Sequence, residues 1–413
     1  MVTCEPGWST SRPSSGRPPS RRAPSCAATP VPAASASEST RLVGVDVARC
    51  LALLGMIATH VVEARDVDGT LTSLQWLAGG RASALFAVLA GVSLALVTGR
   101  RTPVRGATRA RASAAIAVRA GSVALVGLVL GQLETGIAII LTSYGVLFLL
   151  ALPFLGLHAR GLLLLAVGWA VTAPVLSHLV RPELPDRRFA SPHLDQLAEP
   201  GRLVSELLLT GYYPAFGWLA YLLLGLGIGR LDLARASVQG LLAVVGLAVA
   251  VGSAVVSGIA TRAAGFTEAE LLDLAGGMFG QTPTDRWDWL LLVAPHSTTP
   301  FDLLQTAGSA AFVLGSCLLA VGWLAGLAPA AERVVAIVFG AGKMTLTLYT
   351  LHVVMRTEQV WPAEEPDTFV LHVLVVLWIG SGYAALRRRG PLEAAVGLVP
   401  DLIRRSRPRL ARR

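Results

Sequence analysis

About ten apolar runs, each near the twenty residues a helix needs to cross a bilayer, constrain this chain more than any other feature. They fall near residues 43–62, 82–98, 113–131, 136–156, 161–180, 212–229, 238–260, 303–326, 334–355 and 368–386. Lipid offers no partner to a backbone amide, so runs of this length must close their own hydrogen bonds as helices. The alternating strands of about ten residues that build a membrane barrel do not occur. The expected fold is all-α, a polytopic transmembrane helix bundle with about ten spans. Composition agrees: 53% of residues are hydrophobic and only 15% charged, against about 25% charged in soluble domains.

The net charge of +9 matters through its placement. Arginines cluster before the first run (Arg12, Arg17, Arg21, Arg22, Arg41), after the second (Arg100, Arg101, Arg105, Arg109, Arg111) and at the C-terminus. With a cytoplasmic N-terminus, segments 1–42, 99–112, 157–160, 230–237, 327–333 and 387–413 lie inside and hold most arginines. Segments 63–81, 181–211, 261–302 and 356–367 lie outside with mixed or acidic charge. The positive-inside rule is met loop after loop, which puts both termini in the cytoplasm. Such charge orients spans and meets anionic lipid. No zinc finger, recognition helix or aromatic-basic interleave points to nucleic acid. Cys4, Cys26, Cys50 and Cys317 have no ligand-like spacing, so neither a disulfide nor a metal site is expected. The usage, heavy in Ala, Arg, Gly and Leu with Lys343 as its one lysine, fits a high-GC bacterial genome and a multi-pass protein of the bacterial plasma membrane.

Three regions follow. Residues 1–40, rich in Ser, Pro and Arg, read as a disordered cytoplasmic tail without the apolar core of a secretory signal. Residues 41–390 form the bundle. Residues 391–413, "PLEAAVGLVPDLIRRSRPRLARR", read as a basic amphipathic tail lying on the cytoplasmic lipid surface.

The first run, "GVDVARCLALLGMIATH", carries Asp46, Arg49 and His60. Each charge placed in hydrocarbon costs on the order of 3 kcal/mol, so ionisable residues there mark functional or paired groups. At about 100° and 1.5 Å per residue, Asp46 and Arg49 are neighbours on one face. His60 lies about 20° from that face and roughly 16 Å further towards the outside. One helix stripe therefore holds an ion pair in its inner half and an imidazole in its outer half. Interfacial anchoring of the pair, with Arg49 snorkelling, is the plainer alternative.

Arg49, ten intervening residues and His60 form an R-x10-H spacing that resembles the motif of the acyltransferase-three family of bacterial membrane acyltransferases. "RLVGVDVARCLALLGMIATH" and "GRASALFAVLAGVSLAL" resemble more closely the heparan-alpha-glucosaminide N-acetyltransferase-like branch of that transmembrane acyltransferase superfamily. "GYYPAFGWLAYLLLGLGIGR", "APHSTTPFDLL", "GKMTLTLYTLH" and "RRGPLE" extend the resemblance to that branch, and to the related domain-of-unknown-function 418 family, over most of residues 41–393. The resemblance implies transfer of an acyl group, such as acetyl, from cytosolic acyl-CoA to a sugar hydroxyl or amine across the membrane. It casts His60 as the acid/base centre or acyl carrier and Arg49 as the motif arginine. The sequence departs from the pattern in two places. Cys50 stands where the family commonly has Gly, and the segment before Trp76 lacks a histidine.

Around this core the candidates are ordered by depth. Histidine titrates near neutral pH and suits a base that activates a nucleophile. Asp46 would orient Arg49. Arg49 and Lys343, the latter midway along the ninth run, would meet the anionic donor, acyl-CoA (acetyl-CoA). Arg81, His296, Tyr349 and His352, all towards the outside, are acceptor-site candidates. His178 and His372 share that depth, but the spacing is not that of metal ligands, and no metal is expected. The expected partners are membrane lipids, acyl-CoA and a glycan or glycolipid acceptor, without nucleic acid; a homodimer is left open. The rival readings are a transporter and a non-catalytic multi-spanning protein that binds acyl-CoA or lipid.

Overall fold

The computed structural model describes residues 42–360 and 368–405. The expected disordered tail at 1–40 and the end of the basic tail, 406–413, lie outside them. Among the described residues the chain is helical, and one isolated bridge between Arg65 and Leu71 is its sole β pairing. The helices are α1 (Val43–Val61), α2 (Ser73–Ala78), α3 (Arg81–Val97), α4 (Gly106–Leu130), α5 (Leu141–Ala151), α6 (Ala159–Val180), α7 (Pro200–Ser205) and α8 (Ala215–Gly229). They continue as α9 (Ala236–Ala263), α10 (Glu268–Leu274), α11 (Pro300–Leu327), α12 (Pro329–Val338), α13 (Thr345–Met355), α14 (Thr368–Ala385) and α15 (Pro391–Arg405).

Seven helices among the described residues are long and apolar enough to cross a membrane, or eight if the bent pair Pro200–Thr210 and Ala215–Gly229 is one span. The count falls below ten because three of the apolar runs are interrupted. The 136–156 run begins as irregular backbone. There Ile139 N–H donates to Ser191 Oγ at 3.0 Å and Ser191 Oγ–H donates to Ile137 C=O at 2.9 Å. The 212–229 run bends by 53° at Gly211–Pro214. The 334–355 run breaks between α12 and α13 in a tight turn, Gly340–Lys343. Irregular backbone at membrane depth survives where protein groups satisfy it, and here they do.

Small residues set the close crossings. A Cβ added at Gly308 of α11 would meet the Gly246 carbonyl of α9 at 2.7 Å, and one added at Gly315 would meet Gln239 C=O at 2.6 Å. In lipid no hydrophobic force pulls helices together, so such backbone contact supplies the packing. The opposite face of α9 leaves Leu241, Val244, Val251, Val255 and Ile259 exposed, as a lipid-facing surface should. Helix α1 sits inside, against α3, α11, α14 and the α12–α13 turn, with more than half of its residues buried.

The connections gather at two ends. At one end Arg230 donates to the carbonyls of Thr98, Arg100 and Leu155, and Arg101 pairs with Asp232 at 3.0 Å. The basic turns after α3, α5 and α8 therefore meet. At the other end Arg65 donates to Leu272 C=O, Arg181 to Thr282 C=O and Gln281 to Thr210 C=O, which joins the long segments 181–214 and 264–299. Helix α15 packs on α4 and α13, with Leu398, Val399 and Leu402 exposed along one side.

Candidate active site

The end of α1 beside the basic turns is polar by construction. Arg49 donates to Asp46 Oδ1 at 2.7 Å and to Ser93 Oγ of α3 at 2.7 Å, and Ser93 donates onward to Leu89 C=O. Asp46 is 2% exposed. A buried carboxylate is tolerable when it is paired, and Arg49 supplies the pair. Arg49 also lines a cavity of about 280 Å³ together with Arg119, Lys343 and Glu393. Three cations and one acid around a mostly apolar wall make a site suited to an anionic ligand with an apolar extension.

Lys343 reaches this cavity differently from the expectation of a mid-helix residue. It ends the Gly340–Lys343 turn between α12 and α13, rather than lying within either helix. The reason is Gly342, where an added Cβ would collide with the Asp46 carbonyl. Backbone meets backbone there, and a side chain would hold the two elements apart. Glu393, from the first turn of α15, then caps the exposed N-terminus of α13. Its Oε1 accepts from Leu346 N–H at 2.7 Å and Thr347 N–H at 3.2 Å, and its Oε2 from Thr347 Oγ–H at 2.5 Å. A carboxylate on free amides at a helix start is favoured by both hydrogen bonding and the helix dipole.

At the other end of α1, His60 Nδ1 lies 3.2 Å from His352 Nε2 of α13. The ring planes are 6° apart with centroids 5.4 Å apart. His352, fully buried, places its Nδ1 2.8 Å from Nδ1 of His372 on α14. His60 thus faces the bundle interior, not lipid. Tyr349, one turn before His352, is buried, and its hydroxyl accepts from Ile140 N–H at 3.5 Å.

The remaining candidates form a cover over this end. Arg81 donates to Trp76 C=O and lies 5.7 Å from the Trp76 ring, with Asp302 as its electrostatic partner. His296 is clasped by Tyr212, Tyr213 and Trp218, at centroid distances of 4.8, 5.6 and 6.2 Å. Burial pushes its imidazole down to about 4. His296 and Thr298 both have positive φ, 59° and 53°, a conformation held against its cost by the surrounding bonds. Asp302 Oδ2 accepts from Thr298 N–H at 3.0 Å, and Thr299 caps α11 through Asp302 N–H at 3.0 Å. This explains "PHSTTPFD" as a cap signature: Thr at the cap, Pro at the first helical position, Asp two residues later.

The structure therefore brings Asp46, Arg49 and Lys343 together at one end, and His60 with His352 at the other. Arg81 and His296 lie in the cover, and Tyr349 lies against the irregular stretch before α5. Sequence reasoning missed Ser93, Arg119 and Glu393 as cavity groups, and His372 as a contact of His352. Glu393 was visible as the end of "RRGPLE"; the others carried no local signal. Among the described residues no group of three His, Cys, Asp or Glu is arranged to hold a metal ion.

A multi-pass helical membrane protein with a cation-lined cavity at one end of a buried helix and a histidine chain at the other is the class these features define. The family model described as heparan-alpha-glucosaminide N-acetyltransferase, catalytic, matches residues 41–256, and the chain belongs to that family. The match begins just before α1 and covers Asp46, Arg49, His60 and Arg81, while Lys343 and His352 lie beyond it. No curated protein matches the sequence.

Proposed function

We propose that this protein is a membrane acyltransferase that moves an acetyl group from cytosolic acetyl-CoA to a hydroxyl or amine of a glycan or glycolipid on the far side of a bacterial plasma membrane. The observation that carries the reading is the polarity of α1. Its N-terminal end opens on a cavity with Arg49, Arg119 and Lys343, and its C-terminal end holds His60 on a hydrogen-bonded chain. The basic turns surround the first end, and the positive-inside rule supports reading that end, and both termini, as cytoplasmic.

In this reading the three cations receive the phosphates of acetyl-CoA, where guanidinium and ammonium groups bind oxyanions with charge-assisted hydrogen bonds. Asp46 holds Arg49 in position. The thiol arm runs along the apolar wall toward His60. His60 removes the proton from the acceptor nucleophile as that nucleophile attacks the thioester carbonyl, and Arg81, His296, Tyr349 and the cover shape the acceptor's approach.

The test is transfer of labelled acetyl from acetyl-CoA to glucosamine by protein reconstituted in vesicles. Wild type transfers the label, and His60→Ala lowers transfer by about 10²–10⁴-fold while keeping its melting temperature. Unchanged transfer by His60→Ala removes the histidine assignment. Proton-coupled solute uptake with no binding of acetyl-CoA removes the enzyme reading.

A further inference from the structure

The histidines beyond His60 have a chemical consequence of their own. Both ring nitrogens of His352 are engaged, Nε2 with His60 at 3.2 Å and Nδ1 with His372 at 2.8 Å. A neutral imidazole carries one N–H and one lone pair. His352 therefore donates to one neighbour and accepts from the other, and the tautomers of all three rings are locked together. Two neutral arrangements exist; they differ by one proton moved across each contact, one gained at His60 Nε2 and one lost from His372 Nε2. In one, His60 Nε2, the nitrogen outside the chain, presents a lone pair; in the other it presents an N–H. His352 and His372 are 0% and 1% exposed, so water does not substitute for either link.

We propose that His60, His352 and His372 form a reversible proton relay in which His372 holds the positive charge while His60 serves first as base and then as acid. The proposal rests on the acyl-transfer reading and deepens it. At the start His60 Nδ1–H donates to His352 Nε2, and His352 Nδ1–H donates to His372 Nδ1. The acceptor's oxygen or nitrogen bonds to the thioester carbon, the carbonyl π pair moves onto its oxygen, and the acceptor proton passes to His60 Nε2. The Nδ1 proton of His60 crosses to His352, and that of His352 crosses to His372, which becomes the imidazolium. When the tetrahedral intermediate collapses, the carbon–sulfur bond breaks with its electron pair on sulfur. His60 Nε2–H then protonates that sulfur, and the two relay protons return. Atoms and charge balance: one acceptor proton is lost, one thiol proton is gained, and the chain ends as it began. His60 has given up its charge before it must act as an acid, so a single ring serves both steps. Among the described residues, the cation Arg356, one turn beyond His352, and His296 are the other charged or titratable groups that bear on His60.

His352 and His372 act through His60 and are positioning residues for it. The experiment uses purified full-length protein with acetyl-CoA and glucosamine, comparing wild type, His372→Gln and His372→Phe. Glutamine keeps a hydrogen bond to His352 but cannot pass a proton along the chain. Both variants are expected to lose about tenfold or more in kcat with the KM for acetyl-CoA unchanged. The rate of wild type in H2O/D2O mixtures is expected to curve with deuterium content, because several protons move together, and to become linear in both variants. His372→Gln with wild-type kcat and a curved dependence overturns the relay while leaving the acyl-transfer reading intact. Nitrogen–nitrogen couplings across both contacts in 15N-histidine-labelled protein read the chain without any turnover. Their presence supports the relay even where transfer fails and the functional reading falls; their absence overturns it.

Discussion

The two ends of α1 handle polarity inside a membrane by opposite means. The Asp46 end uses permanent charges, pairs them at 2.7 Å and opens the pair to a cavity. The His60 end uses imidazoles, groups able to take up and give back a proton, and links them ring to ring. Permanent charges bind and orient an ion; titratable rings accept and return a proton. A transferase that takes its donor from one side and its acceptor from the other needs both, and here Arg49 and His60 stand about three turns apart on one helix.

Mutations that break this contrast have graded effects. The largest is His60→Ala, which removes the proton acceptor from one end and leaves the donor cavity whole, so acetyl-CoA still binds by calorimetry while transfer falls about 10²–10⁴-fold. Next is Arg49→Ala, which takes the guanidinium away from the buried Asp46 carboxylate at a cost of about 3–5 kcal/mol. Adding Asp46→Asn recovers most of that loss in thermal unfolding in detergent, because the uncompensated charge has gone.

The cover over the His60 end gives a pH effect. His296 sits near 4 in the folded protein against 6.5 when unfolded, so the unfolded chain binds more protons between those values. Stability is complete above pH 6.5 and is lost as pH falls to about 4, by at most about 3 kcal/mol from this residue. The melting temperature should fall over that window in wild type and fall less steeply in His296→Gln; equal slopes would remove His296 as the cause. The smallest effect is Lys343→Ala, which should raise the KM for acetyl-CoA about tenfold, about 1.4 kcal/mol, with kcat unchanged. A fall in kcat at constant KM would instead place Lys343 at the reacting carbonyl.

Much of this layout is legible in the order of the amino acids. Hydrophobic runs located the helices, and the 3.6-residue period put Asp46, Arg49 and His60 on one stripe, because both are properties of a local stretch of chain. The interruptions were less readable. "VFGAGKMTLTLYTLH" has the apolar content of a continuous span, yet it turns at Gly340–Lys343 because α1 and α14 press against its glycines. Hydropathy averages over a window and cannot register a backbone contact with a distant helix.

The sequence by itself determined the class of protein, the apolar runs, the family to which it belongs and the single-helix stripe that ties an ion pair to a histidine, but not which runs form unbroken spans. Only the tertiary structure decided that Arg119, Lys343 and Glu393 meet Arg49 around one cavity, and that His352 and His372 extend His60 into a chain. Those groups lie tens to hundreds of residues apart, on helices whose crossings are set by where glycine and alanine let backbones touch. Their spacing in sequence therefore carries no trace of their spacing in space.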